Sequence, residues 1–269
     1  MIHFIRFITK GRRRLPWGQF VLGGAAVLIL SLGIGACSRI PDFDSRAANY
    51  AKGFNGAVAG DEPQAVLVAR DILAAGGSAA DAAVAAFFTM SVTMPSAASL
   101  DAGGVCLVHD KLSTRAEALD FSHSASGAFA GRVIPVAPRA MQALHARYGK
   151  LPWTQLLGPA ESLALLGYPV SRAFARALAG APGAVSDPAV ARIFADKSGN
   201  PVAEGARVQQ FALAGSLSQL RRQPNQFYTG PFARRLAADF SAVGAPLTVA
   251  DLRAAVPRFR PAVTFERNN

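Results

Sequence analysis

The stretch Asp71-Ile-Leu-Ala-Ala-Gly-Gly-Ser-Ala-Ala-Asp-Ala-Ala-Val-Ala-Ala86 holds two helices and the break between them. Upstream, Asp61-Glu62-Pro63 puts acids and a proline where a helix N-terminus wants them. Apolar positions Ala65, Val66, Val68, Ala69, Ile72 and Leu73 then follow at helical spacing. Gly76-Gly77 ends that helix, and Ser78 caps the next, expected over residues 79–89. Its alanines, with Val84, Phe87 and Phe88, are apolar nearly all round, so deep burial is expected.

Beyond this pair the hydrophobic period changes. Residues 104–110 and 115–121 alternate as two strands joined by 111–114, a β-hairpin. Helices are expected near 138–148, 152–166, 171–179, 187–194, 207–222, 231–243 and 248–255. Residues 262–265 read as a strand that starts and stops. The class is therefore α+β and helix-rich. With 269 residues, 51% hydrophobic and 17% charged, the chain has room for one large domain or two small ones around a sizeable core.

The net charge of +11 does not describe a nucleic-acid surface. Five of the 28 basic residues (Arg6, Lys10, Arg12, Arg13, Arg14) lie in the first 36 positions, where there is no acid. The other arginines are spread along helices in nothing longer than pairs such as Arg221–Arg222 and Arg234–Arg235, a solvated basic surface. No nucleic-acid partner is expected.

The basic start runs into an apolar stretch at 21–32, the n-region and h-region of an export signal. It is short of the roughly 20 apolar residues of a membrane span. The stretch ends in Ile34-Gly35-Ala36-Cys37, which resembles a bacterial lipobox. The expected organisation is a lipoprotein signal peptide over 1–36, a tether over 37–53 beginning at the acylated Cys37, and a folded region over 54–269. A cleaved secretory signal, or an uncleaved anchor with an incidental Cys, are the alternatives. Ser38 after the Cys favours the outer membrane, facing the periplasm, because Asp there would suggest inner-membrane retention. If Cys37 is acylated, Cys106 has no disulfide partner; its run Val105-Cys-Leu-Val108 reads it as a small core residue.

The helix pair is also where a family resemblance begins. It is similar to the γ-glutamyltransferase (glutathione hydrolase) pattern of a helix ending in Ile-Leu, two glycines, then a small-residue helix opening Asp-Ala-Ala-Val-Ala. Further blocks follow in family order: Ala118-Leu-Asp-Phe121, Leu144-His-Ala-Arg-Tyr-Gly-Lys-Leu-Pro-Trp153, Pro159-Ala160, Gly167-Tyr-Pro-Val-Ser171, Glu204-Gly205, Phe227-Tyr-Thr-Gly230 and Leu247-Thr-Val-Ala-Asp-Leu252. The resemblance runs from about residue 57 to 261. It implies an N-terminal-nucleophile hydrolase, a four-layer αββα sandwich cut into a large and a small subunit. The small subunit's first residue, a Thr, attacks the γ-glutamyl amide of glutathione, with its own α-amine as base. This chain resembles the N-terminal, large-subunit part, so the sandwich is expected to be incomplete, with mainly helices and a hairpin.

Three departures stand out. No Thr sits in the family's Thr-Thr context, so no catalytic residue is assigned. The position after Leu119-Asp-Phe121, where the resemblance implies an Arg on the substrate α-carboxylate, is Ser122, followed by His123. A hydroxyl cannot replace a bidentate ion pair. Glycines are also replaced: Pro95-Ser-Ala-Ala-Ser-Leu-Asp-Ala-Gly-Gly104 has Ser99, Asp101 and Ala102 at family glycine positions, and Ile134-Pro-Val-Ala-Pro-Arg-Ala140 lacks both of its glycines. Ser122 and His123 are the substrate-binding candidates. Ser122-His123-Ser124 is not read as a nucleophile pair, because chain neighbours rarely point at each other. His3, His109, His123 and His145 lack metal-ligand spacing, and neither a metal nor a cofactor is implied.

Two readings follow. In one, the chain is the large-subunit portion of a γ-glutamyltransferase-like enzyme, inactive alone, whose partners are a separately encoded small catalytic subunit and a small γ-glutamyl peptide. In the other, it is a non-catalytic envelope lipoprotein that binds a protein or peptide.

Overall fold

The computed structural model describes residues 56–110, 113–122, 134–245 and 247–265. Helix α1 spans Pro63–Ala74 and α2 spans Ala79–Thr93. The Gly-Gly break is a Schellman closure. Gly76, at φ 89°, donates its N–H to the Leu73 carbonyl, and Gly77 donates to that of Ile72. A Cβ on Gly77 would lie 2.8 Å from the Ile72 carbonyl oxygen, so close packing fixes the second glycine as firmly as positive φ fixes the first.

Helix α2 is the hub. Ser78 and Asp81 form a full capping box at its start: the Ser78 hydroxyl accepts the Asp81 N–H at 3.1 Å, and Asp81 accepts the Ser78 N–H at 2.9 Å. The helix runs four residues past the expected end. There the Ser91 and Thr93 hydroxyls donate to the Phe88 and Thr89 carbonyls, so side chains unfavourable to helices are buried with their hydroxyls partnered.

Around α2 pack α1, α3 (Ala137–Tyr148) and α4 (Trp153–Leu166), with α7 (Phe211–Arg222) behind α4. Val84, Phe88, Leu144, Leu156, Leu157, Leu217 and Leu220 form the centre of the core. Each such side chain, fully buried, contributes roughly 1.5–3 kcal/mol. Trp153 meets Phe88 edge to face at 5.6 Å and donates its indole N–H to the Leu220 carbonyl at 3.1 Å, tying α2, α4 and α7 together.

Strands β1 (Val105–Asp110) and β2 (Arg115–Asp120) form the expected hairpin. Its third partner is β5 (Arg258–Pro261), antiparallel to β2, giving the order β1-β2-β5. This corrects the expected terminal strand at 262–265. Pairing Phe259 with Leu119 places the aromatic ring inside, against Tyr148, whereas Val263 and Phe265 are exposed. Pro261 is tolerated because β5 is an edge strand.

The helix expected over 207–222 is also corrected. Arg207–Val208 is a short strand, β4, paired with β3 (Tyr168–Pro169), and α7 starts only at Phe211. Buried Gln210 forces the turn: its amide donates to the Val92 carbonyl at 2.7 Å and to the Tyr168 hydroxyl, while its backbone N–H donates to Ala164. The remaining elements are α5 (Arg172–Gly180), a 3-10 turn (Pro182–Ser186), α6 (Pro188–Phe194), the short α8 (Gln226–Thr229), α9 (Pro231–Ala242) and α10 (Val249–Ala254).

Candidate functional site

The end of the sheet where β2 leaves it carries Ser122, one of the two substrate-binding candidates singled out by sequence. Phe121 donates its N–H to the Gly104 carbonyl at 2.9 Å and turns its ring inward; a Cβ on Gly104 would sit 3.1 Å from that ring. Ser122, next in line, is exposed. Its N–H donates to Asp120 Oδ1 at 3.0 Å, and its hydroxyl reaches the Gly104 carbonyl only at 3.5 Å. His123, Ser124 and Cys37 lie outside the described residues.

The sheet has two unlike faces. Register places Cys106, Val108, Leu119 and Phe259 on the inner face, against the helices. Val105, Leu107, Ala118, Asp120, Arg258 and Arg260 share the outer one. That outer face is open: Val105 is 59% and Leu107 70% exposed.

Asp120 organises the polar end of the open face. The Ser122 N–H, then its hydroxyl, hold the carboxyl below its ordinary value; slight burial opposes this, and Arg260 and Arg258 lower it further. Arg258 stands directly opposite Asp120 in the ladder, yet the ion pair goes diagonally, from Arg260 to Asp120 Oδ2 at 3.5 Å. Among the described residues Arg258 makes no hydrogen bond or ion pair. Sequence reading missed Arg258 and Arg260 because it set the last strand four residues too late. The alternation Arg258-Phe-Arg-Pro261 was the available signal.

The substituted glycine positions are unstrained. Among the described residues, the sole non-glycine with positive φ is Thr114, at 54° in the hairpin turn. Ser99, Asp101 and Ala102 therefore keep ordinary backbone, and the Ser99 hydroxyl donates to Asp101 inside the loop. Val136, at φ −85°, leads straight into α3. These replacements do not by themselves distort the site.

Comparison with known proteins gives a consistent result. The profile of the family described as Gamma-glutamyltranspeptidase matches residues 65–267. Glutathione hydrolase 3 of Arabidopsis thaliana is 28% identical over 230 residues, covering 79% of this chain and 36% of the plant protein. Glutathione hydrolase 7 of Bos taurus is 30% identical over 190 residues, covering 65% of this chain and 28% of the bovine one. The chain thus spans about a third of the length of the curated relatives it matches. Among solved structures, Helicobacter pylori gamma-glutamyltranspeptidase superposes with a TM-score of 0.67 at 28% identity, over 77% of this chain and 66% of that one. The transpeptidase enzyme CapD of Bacillus anthracis gives 0.66 at 25% identity, over 76% and 70%. The fold is that of the N-terminal-nucleophile hydrolases, represented here by helices and small sheets.

Proposed function

Because this chain belongs to the gamma-glutamyltranspeptidase family, we propose that it forms the large-subunit portion of a γ-glutamyl-amide hydrolase or transferase. The observation that carries this reading is the open outer face of the β1-β2-β5 sheet. A sheet whose inner face is packed on helices, and whose outer face presents Val105 and Leu107 to water, is half of an αββα sandwich. A second segment, bearing a Thr nucleophile, covers that face. The Thr hydroxyl adds to the γ-carbonyl while the α-amine of the same residue takes its proton; the amine product leaves with that proton, and water or an amino acid releases the γ-glutamyl group. The chain by itself has no turnover.

The test is to co-express the chain with the adjacent Thr-containing segment and assay γ-glutamyl-p-nitroanilide. Cleavage by the pair, with none by either part, is expected. A stable, stoichiometric pair with no turnover defeats the proposal.

Ser122, at the position of the family Arg, favours a second reading: a non-catalytic envelope lipoprotein that binds a protein or peptide. A monomeric, cooperatively melting chain supports it, whereas aggregation through the open sheet supports the first. Both readings include a lipid on Cys37, periplasm-facing at the outer membrane. Incorporation of radiolabelled palmitate, lost in C37A, tests that anchor.

A further inference from the structure

We propose that the groove between α5 and residues 201–204 takes the C-terminal end of a peptide, its carboxylate on Arg176 and a small apolar last side chain on the alanines beside it. This goes beyond the function proposed above and does not depend on it. Phe174 and Leu178 turn the inner face of α5 into the core, so Arg172, Ala175, Arg176 and Ala179 share the opposite face. Residues 201–204 run across from that face. The two walls leave about 470 Å³ between them, open to solvent and within the roughly 300–1,000 Å³ of ligand sites. The second wall is fixed in place: Pro201 pairs with Ala195, Val202 donates its N–H to the Phe194 carbonyl at 2.9 Å, and Gly205 donates to that of Val170 at 2.9 Å. Arg172 Nε joins the walls through Glu204 Oε2 at 3.1 Å. A wall held in this way needs little ordering when a ligand enters.

The lining selects the occupant. Ala175, Ala179 and Ala203 carry only methyl groups, and with Val202 they leave room and an apolar surface for a small aliphatic side chain. Arg176 lies one helical turn from Arg172 and is exposed. Among the described residues it makes no hydrogen bond, ion pair or ring contact, so its guanidinium fork is free for a carboxylate. In the last residue of a peptide the carboxylate and the side chain leave one Cα. That matches a guanidinium three residues from Ala179 on the same helix face. Glu204 repels a second acid, so the preceding residues of the peptide are neutral.

The experiment is an NMR-monitored titration of the full chain with N-acetyl-Ala-Ala-Val and with the same tripeptide ending in an amide. The wild type is expected to bind the acid about fivefold more tightly or better, the scale of an exposed charge-assisted contact. R176Q is expected to bind acid and amide alike. A179L, which fills the groove from an exposed helix position, is expected to lose both ligands. Both positions are exposed, so the two variants should melt as the wild type does. A wild type that binds acid and amide equally, or binds neither, overturns the proposal, as does an R176Q that keeps the preference. Binding that A179L leaves unchanged puts the peptide elsewhere and overturns it too.

Discussion

Asp81 Oδ2 accepts the backbone N–H of Lys150 at 2.8 Å, across 69 residues of chain. The same oxygen takes the N–H groups of Leu151 and Ser78, while Oδ1 has no hydrogen-bond partner and lies 3.8 Å from His145 Nε2. The carboxylate has no exposed surface, so one buried anion both starts α2 and fastens the loop between α3 and α4. In D81N the amide presents a donor where up to three N–H groups converge. Loss of about 2–3 kcal/mol is expected, the scale of a charge-assisted hydrogen bond left unmade. Urea denaturation measures it; a change within about 0.5 kcal/mol, ordinary for a surface site, contradicts this account.

The same carboxyl sets a pH dependence. Burial alone would raise its pKa, but the Ser78, Lys150 and Leu151 N–H groups and the Ser78 hydroxyl outweigh it, and the net shift is downward from 3.8. Its contribution is therefore fully present above the unfolded value, about 3.9, and is lost as pH falls through the lower folded value. The gap in urea midpoint between wild type and D81N should be constant from pH 7 to 5 and narrow below pH 4. Narrowing well above pH 5 would locate the titration elsewhere.

Gly149 lies within the loop that Asp81 holds. Its φ of −74° would suit any residue, so the requirement is space. A Cβ there would stand 2.5 Å from the His145 carbonyl oxygen and 2.8 Å from Asp81 Oδ1. The carbonyl is helix backbone and cannot retreat. G149A should cost about 1–3 kcal/mol, as overpacking does, seen as a lower melting temperature; G158A, with open space around its Cβ, is the control.

What was legible in the sequence followed from local rules. The Gly76-Gly77 stop, the Ser78 cap and the strand alternation at 105–110 each rest on one stretch of backbone, and the structure holds all three. The misses depend on distant partners. The alternation Arg258-Phe-Arg-Pro261 is too short to fix a strand alone; Leu119, some 140 residues earlier in the chain, supplies the register that buries Phe259. Gln210 reads as an ordinary polar residue until Val92 and Tyr168 surround it. Ser122 was found from a family position, but its neighbours Arg258 and Arg260 required the β2–β5 pairing.

Cys106 was read as a small core residue, and it is half-buried on the inner sheet face, opposite Leu119. Burial raises its thiol pKa, which lowers the thiolate fraction at neutral pH. In C37A, where Cys106 is the single thiol, labelling by a disulfide reagent at pH 7.5 should be slow in the native protein and rapid in urea. Equal rates would show that the inner face is open to solvent.

The last prediction concerns the join between α3 and α10. Arg139 Nη1 donates to the carbonyls of Leu252, Arg253 and Ala255 at 3.1, 3.0 and 2.6 Å, serving groups that the end of α10 leaves without helical partners. Its guanidinium lies 3.8 Å from the Tyr228 ring centre, and the Tyr228 hydroxyl accepts the Arg139 N–H while donating to the Pro135 carbonyl. Burial lowers the Arg139 pKa and raises that of Tyr228, the latter partly offset by Arg139 itself. R139A should therefore cost about 2–4 kcal/mol, through lost charge-assisted bonds and the cation–π contact. R139K keeps the charge but not the planar fork, and should recover only part of that. Y228F leaves the Arg139 N–H and the Pro135 carbonyl without their shared partner and should cost about 1–3 kcal/mol. Because the two side chains touch, the double variant R139A/Y228F should lose less than the two single losses combined, by about 0.5 kcal/mol or more. Additive losses would mean that the ring and the guanidinium stabilise the join independently.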